Sequence, residues 1–178
     1  MLGIQQISSL NENSRGAKSM LRAYDSIFVA ELEKHIWNFS IKRARLPADA
    51  NVPMFGKSRY FPLPGDFLFL APEETTLSNP KRHDYQIEGT SIVSSEDPPL
   101  PIRYVSASIT ESGFSATFAE AFAAALAQAC CEELTNSNTK LAAINQLYTD
   151  AVNTAKKRND MQNAPVKSPT CSFITVRV

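Results

Sequence analysis

Apolar residues recur three and four positions apart from Ser14 to Phe39: Ala17, Met20, Leu21, Tyr24, Ile27, Phe28, Leu32, Ile36 and Phe39. That spacing puts them on one stripe of an amphipathic helix, with Glu31, Glu33 and Lys34 on the other face. Asn13 or Ser14 is the expected cap. A second stripe runs through Phe114, Phe118, Ala121, Phe122, Ala125, Leu126 and Ala129, predicting a helix from Phe114 to Leu134. It is rich in alanine on several faces, which favours the helix and lets neighbouring elements approach closely, so burial on more than one side is expected. Asn136 to Asn138 interrupts the pattern. Leu141, Ile144, Tyr148, Ala151, Val152 and Ala155 then predict a third helix from Thr139 to about Met161.

Between the first two helices the period changes. Pro47, Pro53, Pro62, Pro64, Pro72, Pro80, Pro98, Pro99 and Pro101 are too closely spaced for long helices. Short strands fit instead, at Phe67–Leu70, at Ile102–Val105, and as a hairpin of Tyr85–Glu88 with Ser91–Ser94 about Gly89-Thr90. The expected fold class is mainly α: a bundle of three to four helices with a small antiparallel β wing inserted at about 47–105. Residues 1–161 would form this domain and 162–178 an extended C-terminal arm. Pro165 and Pro169 precede Phe173-Ile174-Thr175-Val176-Arg177-Val178, in which Ile174, Val176 and Val178 alternate with the others. A lone strand after a tether needs a sheet edge, its own or a partner's.

Charge and chemistry narrow the function. Lys+Arg and Asp+Glu number 18 each across 178 residues, so the formal net charge is zero. Tight binding driven by phosphate neutralisation is not expected of such a chain, whereas self-association meets little repulsion. Two basic clusters are candidates for channel-facing or intersubunit contacts: Lys42, Arg43 and Arg45, and Lys156, Lys157 and Arg158. Cys130, Cys131 and Cys171 are an odd number with no framework spacing; the adjacent pair reads as small buried hydrophobes. Met1–Leu10 has neither the basic start nor the apolar core of a signal peptide, and no run is long enough to span a membrane. No P-loop, G-x-G-x-x-G, G-x-S-x-G or H-E-x-x-H occurs, and the two histidines, His35 and His83, have no zinc-like companions. The acidic pairs Glu73-Glu74, Glu96-Asp97 and Glu132-Glu133 are sequence neighbours and read as solvated. No catalytic residue, metal or cofactor is expected.

One ordered set of motifs stands out. Trp37-Asn38-Phe39-Ser40-Ile41-Lys42-Arg43-Ala44-Arg45-Leu46 is followed by Tyr60-Phe61-Pro62-Leu63-Pro64-Gly65-Asp66-Phe67-Leu68. Around them lie Ile7-Ser8-Ser9-Leu10-Asn11-Glu12, Ala17 with Tyr24-Asp25, Tyr85-Gln86-Ile87-Glu88-Gly89, Ile102-Arg103-Tyr104-Val105, and Phe114 and Phe118 leading into the alanine-rich helix. The set resembles the head-to-tail adaptor family of tailed bacteriophages, also called tail tubular or connector ring proteins. Trp37, Phe39, Tyr60, Pro64 and Asp66 are its fold signature here. Trp37 and Phe39 are expected to seat against the second helix, and Asp66 to bond nearby backbone amides as a turn carboxylate.

The resemblance implies a structural virion protein, made in the bacterial cytoplasm and placed at the head–tail junction. It implies a ring, commonly dodecameric, beneath the portal protein. The ring would extend the DNA channel, touch duplex DNA weakly and give the next tail or nozzle protein its platform. Phe173, Ile174, Thr175, Val176, Arg177 and Val178 would form the portal-binding arm. Relatives usually carry a further short helix before the I-x-S-L segment, where this chain has only Met1–Gln6. Alternatives are a neck or tail-completion ring protein of a long-tailed phage, a DNA-binding module, and a virion-associated cell-wall hydrolase. The last needs two carboxylates held across a cleft, for which no pair is evident.

Overall fold

The structure, a computed structural model, describes residue 2, residues 7–72 and residues 84–163. Three α-helices are present among the described residues: α1 Arg15–Glu33, α2 Ala116–Thr135 and α3 Asn138–Asp160. Serine starts each one. Ser14, Ser115 and Ser137 accept from the amides of Ala17, Phe118 and Lys140, satisfying donors that a helix N-terminus leaves free. Asn136, at φ 47°, ends α2 in the left-handed region that asparagine tolerates. Lys157 and Arg158 in the last turn of α3 suit the negative end of its dipole.

The expectation of a mainly α bundle with one small wing is overturned, because the described residues form two three-stranded antiparallel sheets. The first has the order β1 (Ile41–Leu46), β6 (Leu100–Ser106), β3 (Phe67–Leu70). The second has the order β2 (Arg59–Pro62), β5 (Ser91–Ser94), β4 (Tyr85–Glu88). The hairpin β4–β5 and the strand β3 lie where the pattern put them. β1 and β2 do not appear in the pattern: IKRARL alternates cleanly on neither face, and Arg59–Pro62 ends in a proline, tolerated because β2 is an edge.

The chain divides into two compact units. The first draws on Met1–Lys42, Asp66–Ala71 and Tyr104–Gln162, the second on Arg43–Gly65 and Pro72–Arg103. In the first, α2 is the central helix, packed on both α1 and α3. Its alanines explain this: Ala121, Ala124, Ala125 and Ala127 are all buried, with Phe118, Phe122, Cys130 and Cys131. One core cluster joins Phe118, Ala121 and Phe122 to Leu32, Trp37, Val152 and Ala155, ringed by Tyr24, Phe28, Phe39 and Phe114. In the second unit Phe61, Ile92, Val93 and Leu100 are buried, and β2 and β5 place Phe61 opposite Ile92.

The first helix is shorter than its apolar stripe. It stops at Glu33 rather than running to Phe39, and Trp37 lies in the loop beyond it. Trp37 folds back so that its indole N–H donates to the Glu31 carbonyl at 2.9 Å, one of the acceptors a helix C-terminus leaves open. Asn159 of α3 replaces the missing helical bonds. Its Oδ1 accepts from the Asn38 amide at 2.8 Å, and its Nδ2 donates to the Ile36 carbonyl at 2.9 Å.

Candidate functional site

Trp37 is 1% exposed and meets Phe118 edge-on, with ring centroids 4.9 Å apart. Phe39 lies 4.8 Å from Phe118 and 5.9 Å from Phe114. Both therefore seat against α2 as the sequence predicts. Tyr60 sits in β2 opposite Val93, and Pro64 is half-buried in the turn that leads to β3.

Asp66 does something other than cap its turn. Its carboxylate accepts from three side chains: the Lys42 ammonium and the Ser106 hydroxyl, each at 2.7 Å, and the Tyr104 hydroxyl at 3.1 Å. β3 pairs antiparallel with β6, with Phe67 opposite Ser106, and that register carries Asp66 to the hydroxyls of β6. Three motifs distant in sequence thus meet at one oxygen pair. The hydrogen bonds from Lys42 and then Ser106 pull the Asp66 carboxyl down to about 2. Burial, with the bond to Asp66, pushes the Tyr104 hydroxyl up.

This network divides the first basic cluster. Lys42 is paired with Asp66. Arg43 and Arg45 project from the opposite face of β1, because strand side chains alternate. Both are exposed and have no partner among the described residues. The second cluster ends α3. Lys157 and Arg158 are exposed, Lys156 is half-buried, and Arg158 borders a groove of about 420 Å³ with Phe39, Phe114 and Gln162. Arg43 and Arg45 belong to the second compact unit, whereas Lys42 and the cluster at the end of α3 belong to the first. Phe173, Ile174, Thr175, Val176, Arg177 and Val178 lie outside the described residues, as do His83 and the Glu73-Glu74 pair.

Several supports were not legible beforehand. Glu31, expected on the polar face of α1, is 3% exposed. Its carboxylate accepts from Lys34 at 2.6 Å and from Tyr148 of α3 at 2.9 Å. Burial opposes the charge on Lys34, but the bonds to Glu31 and Tyr148 outweigh it and raise its pKa. Glu133 is not simply solvated either: it accepts from Ser19 at 2.7 Å and Arg22 at 2.8 Å, tying the end of α2 to α1. His35 lies beyond the helix end, 3.0 Å from Asp160 and edge-on to Trp37. Cys130 and Cys131 are buried with Ala127 and Ile144. No group of three or more metal-ligating side chains converges among the described residues.

The most exposed apolar surface is the loop between β1 and β2. Val52, Met54 and Phe55 are 68%, 98% and 91% exposed. The loop is pinned at both ends. The Asp49 amide donates to the Tyr60 carbonyl at 2.7 Å, and Lys57 pairs with Asp84. Gly56 turns the chain at φ 84°, which a side chain would strain. A pinned loop that presents Met and Phe to water reads as a contact surface. The only sequence sign is an apolar Val-Pro-Met-Phe run in a loop, which the proline count obscures. No helix among the described residues is long and apolar enough to cross a membrane.

In sequence comparisons, no protein-family model matches the chain and no curated protein gives a significant match.

Proposed function

We propose that this chain is a structural, non-catalytic virion protein of a tailed bacteriophage: a head-to-tail adaptor subunit. Copies form a ring beneath the portal, extend the DNA channel and offer the platform on which the next tail protein sits. The observation that carries the reading is the convergence on Asp66. Lys42, Asp66 and Tyr104–Ser106 come from, or directly follow, three of the separate blocks that resemble the adaptor family, and they meet in one hydrogen-bonded cluster. Trp37 and Phe39, from the first block, seat on the helix that Phe114 and Phe118 begin. A signature whose members support one another in space is a folding signature, in keeping with a protein that works by shape.

Cyclic assembly is heterologous: one surface of each copy meets a different surface of the next. Met54 and Phe55 supply an apolar contact of the kind such an interface requires. Zero net charge keeps repulsion between copies low. Electron microscopy of the protein mixed with its cognate portal tests the reading. A ring of this chain on the tail-facing side of the portal is expected; a portal left bare at saturating protein overturns it.

A further inference from the structure

The outward stripe of α1 carries cations that no contiguous run in the sequence announces. Arg15, Lys18 and Arg22 follow one another at spacings of three and four, so they share one face, and all three are exposed. They line a groove of about 540 Å³ beside the end of α2, together with Leu21 and Glu133. Glu133 organises the two arginines. Its backbone carbonyl accepts from Arg15 at 2.5 Å, and its carboxylate accepts from Arg22 at 2.8 Å and from Ser19 at 2.7 Å. Each guanidinium keeps further N–H donors free of these bonds. The Lys18 ammonium has no partner among the described residues. Three cations against one carboxylate leave the groove with positive charge in excess, and Asp25, one turn beyond Arg22, closes the patch.

This placement works against the helix. The N-terminal end of a helix dipole is positive, yet Arg15 and Lys18 stand at the start of α1, whose first turn has no acidic residue. In α3 the basic residues lie at the opposite, favourable end. Cations that cost local stability, one of them unpaired, fit a surface kept for an external anion. The span of the patch selects the anion. Arg15 to Arg22 covers roughly 10 Å of helix axis, about the length that three phosphates of one DNA strand occupy at one per ~3.4 Å. Among the described residues no aromatic side chain lines the groove, and its apolar member is a half-exposed leucine, Leu21. It therefore lacks the buried aromatic anchor that concentrates binding energy in protein interfaces. We infer that Arg15, Lys18 and Arg22 bind the phosphodiester backbone of duplex DNA without reading its sequence. This rests on the adaptor reading for the DNA that the chain meets. It goes further by moving the principal contact from the basic runs Lys42–Arg45 and Lys156–Arg158 to α1. Phosphate contacts tolerate any sequence and weaken with salt. So small a set gives weak binding, in keeping with the zero net charge.

Fluorescence anisotropy of a labelled duplex of about 20 base pairs with the purified full chain tests this. With about three phosphates neutralised, affinity should fall roughly 40-fold between 50 and 200 mM salt. The combined variant Arg15→Gln, Lys18→Gln and Arg22→Gln should bind at least ~10-fold more weakly at the lower salt and lose most of the salt dependence. Arg43→Gln, Arg45→Gln and Lys157→Gln together remove the same charge elsewhere and should weaken binding less than about threefold. Lys18→Gln alone breaks no bond among the described residues, so it separates binding from folding. It should reduce the salt slope by about one while the urea midpoint stays at the wild-type value. No binding by the wild-type chain at low salt overturns the proposal, as do equal losses in the two combined variants or an unchanged slope in Lys18→Gln. Displacement of the duplex by poly-glutamate at a lower charge concentration than by unlabelled duplex also overturns it, and assigns the groove to an acidic protein segment. The free chain is measured without portal. A failure here therefore leaves ring assembly standing, and a portal left bare leaves the phosphate contact standing.

Discussion

Asp66 shows how one side chain can hold distant parts of a chain together. Removing it leaves the hydroxyls of Tyr104 and Ser106 and the Lys42 ammonium without their shared acceptor. Asp66→Ala is expected to cost roughly 2 kcal/mol, read as a lowered urea midpoint at neutral pH. Its titration also gives stability a pH dependence. The folded carboxyl titrates near 2 and the free one near 3.8, so its contribution is fully present above about pH 4. It is lost as pH falls toward 2. The wild-type protein should therefore lose more stability between pH 5 and pH 2.5 than Asp66→Asn does; parallel pH curves for the two proteins would remove Asp66 as the source. Trp37 is a packing anchor of another kind, with its ring against Phe118 and its N–H on Glu31. Trp37→Ala should cost about 3–5 kcal/mol, checked by thermal or urea unfolding.

At the scale of elements, the helices were legible because their stripes are long. α2 announced its central position through alanine. Two expectations failed because non-local partners decide the outcome. The apolar stripe of α1 continues through Ile36 and Phe39, but tertiary partners take over there: Trp37 occupies a terminal carbonyl, and Asn159 holds the backbone of residues 36–38 from a helix more than a hundred residues away in sequence. β1 was hidden because its arginines and lysine look like a basic loop, while its pairing with β6 is non-local and leaves no period-two trace. The Asp66 cluster was half legible. The aspartate stood out by its motif, yet its partners depend on the register of β3 with β6, which no local pattern encodes. The loop bearing Met54 and Phe55 is argued as a contact surface, so Met54→Ser with Phe55→Ser should change unfolding free energy by less than about 0.5 kcal/mol. The same variant should lose occupancy on the portal in a sedimentation assay; full occupancy would assign the loop another role. Deleting residues 172–178 should leave the helical unit folded by circular dichroism and abolish portal docking. Docking at wild-type levels would exclude the arm as the portal-binding element.

At the scale of the whole molecule, the chain is neutral and forms two compact units, and its proposed function lies in assembly. In the proposed ring, Arg43, Arg45, Lys157 and Arg158 are exposed candidates for contact with DNA, and that contact is expected to be weak. The central claim is that this chain assembles on a portal. The most direct measurement is native mass spectrometry of the purified protein, alone and mixed with the cognate portal ring. The account predicts a discrete complex in which many copies of the chain, one fixed number, add to each portal ring. A verified portal that retains its own mass at saturating protein would contradict it.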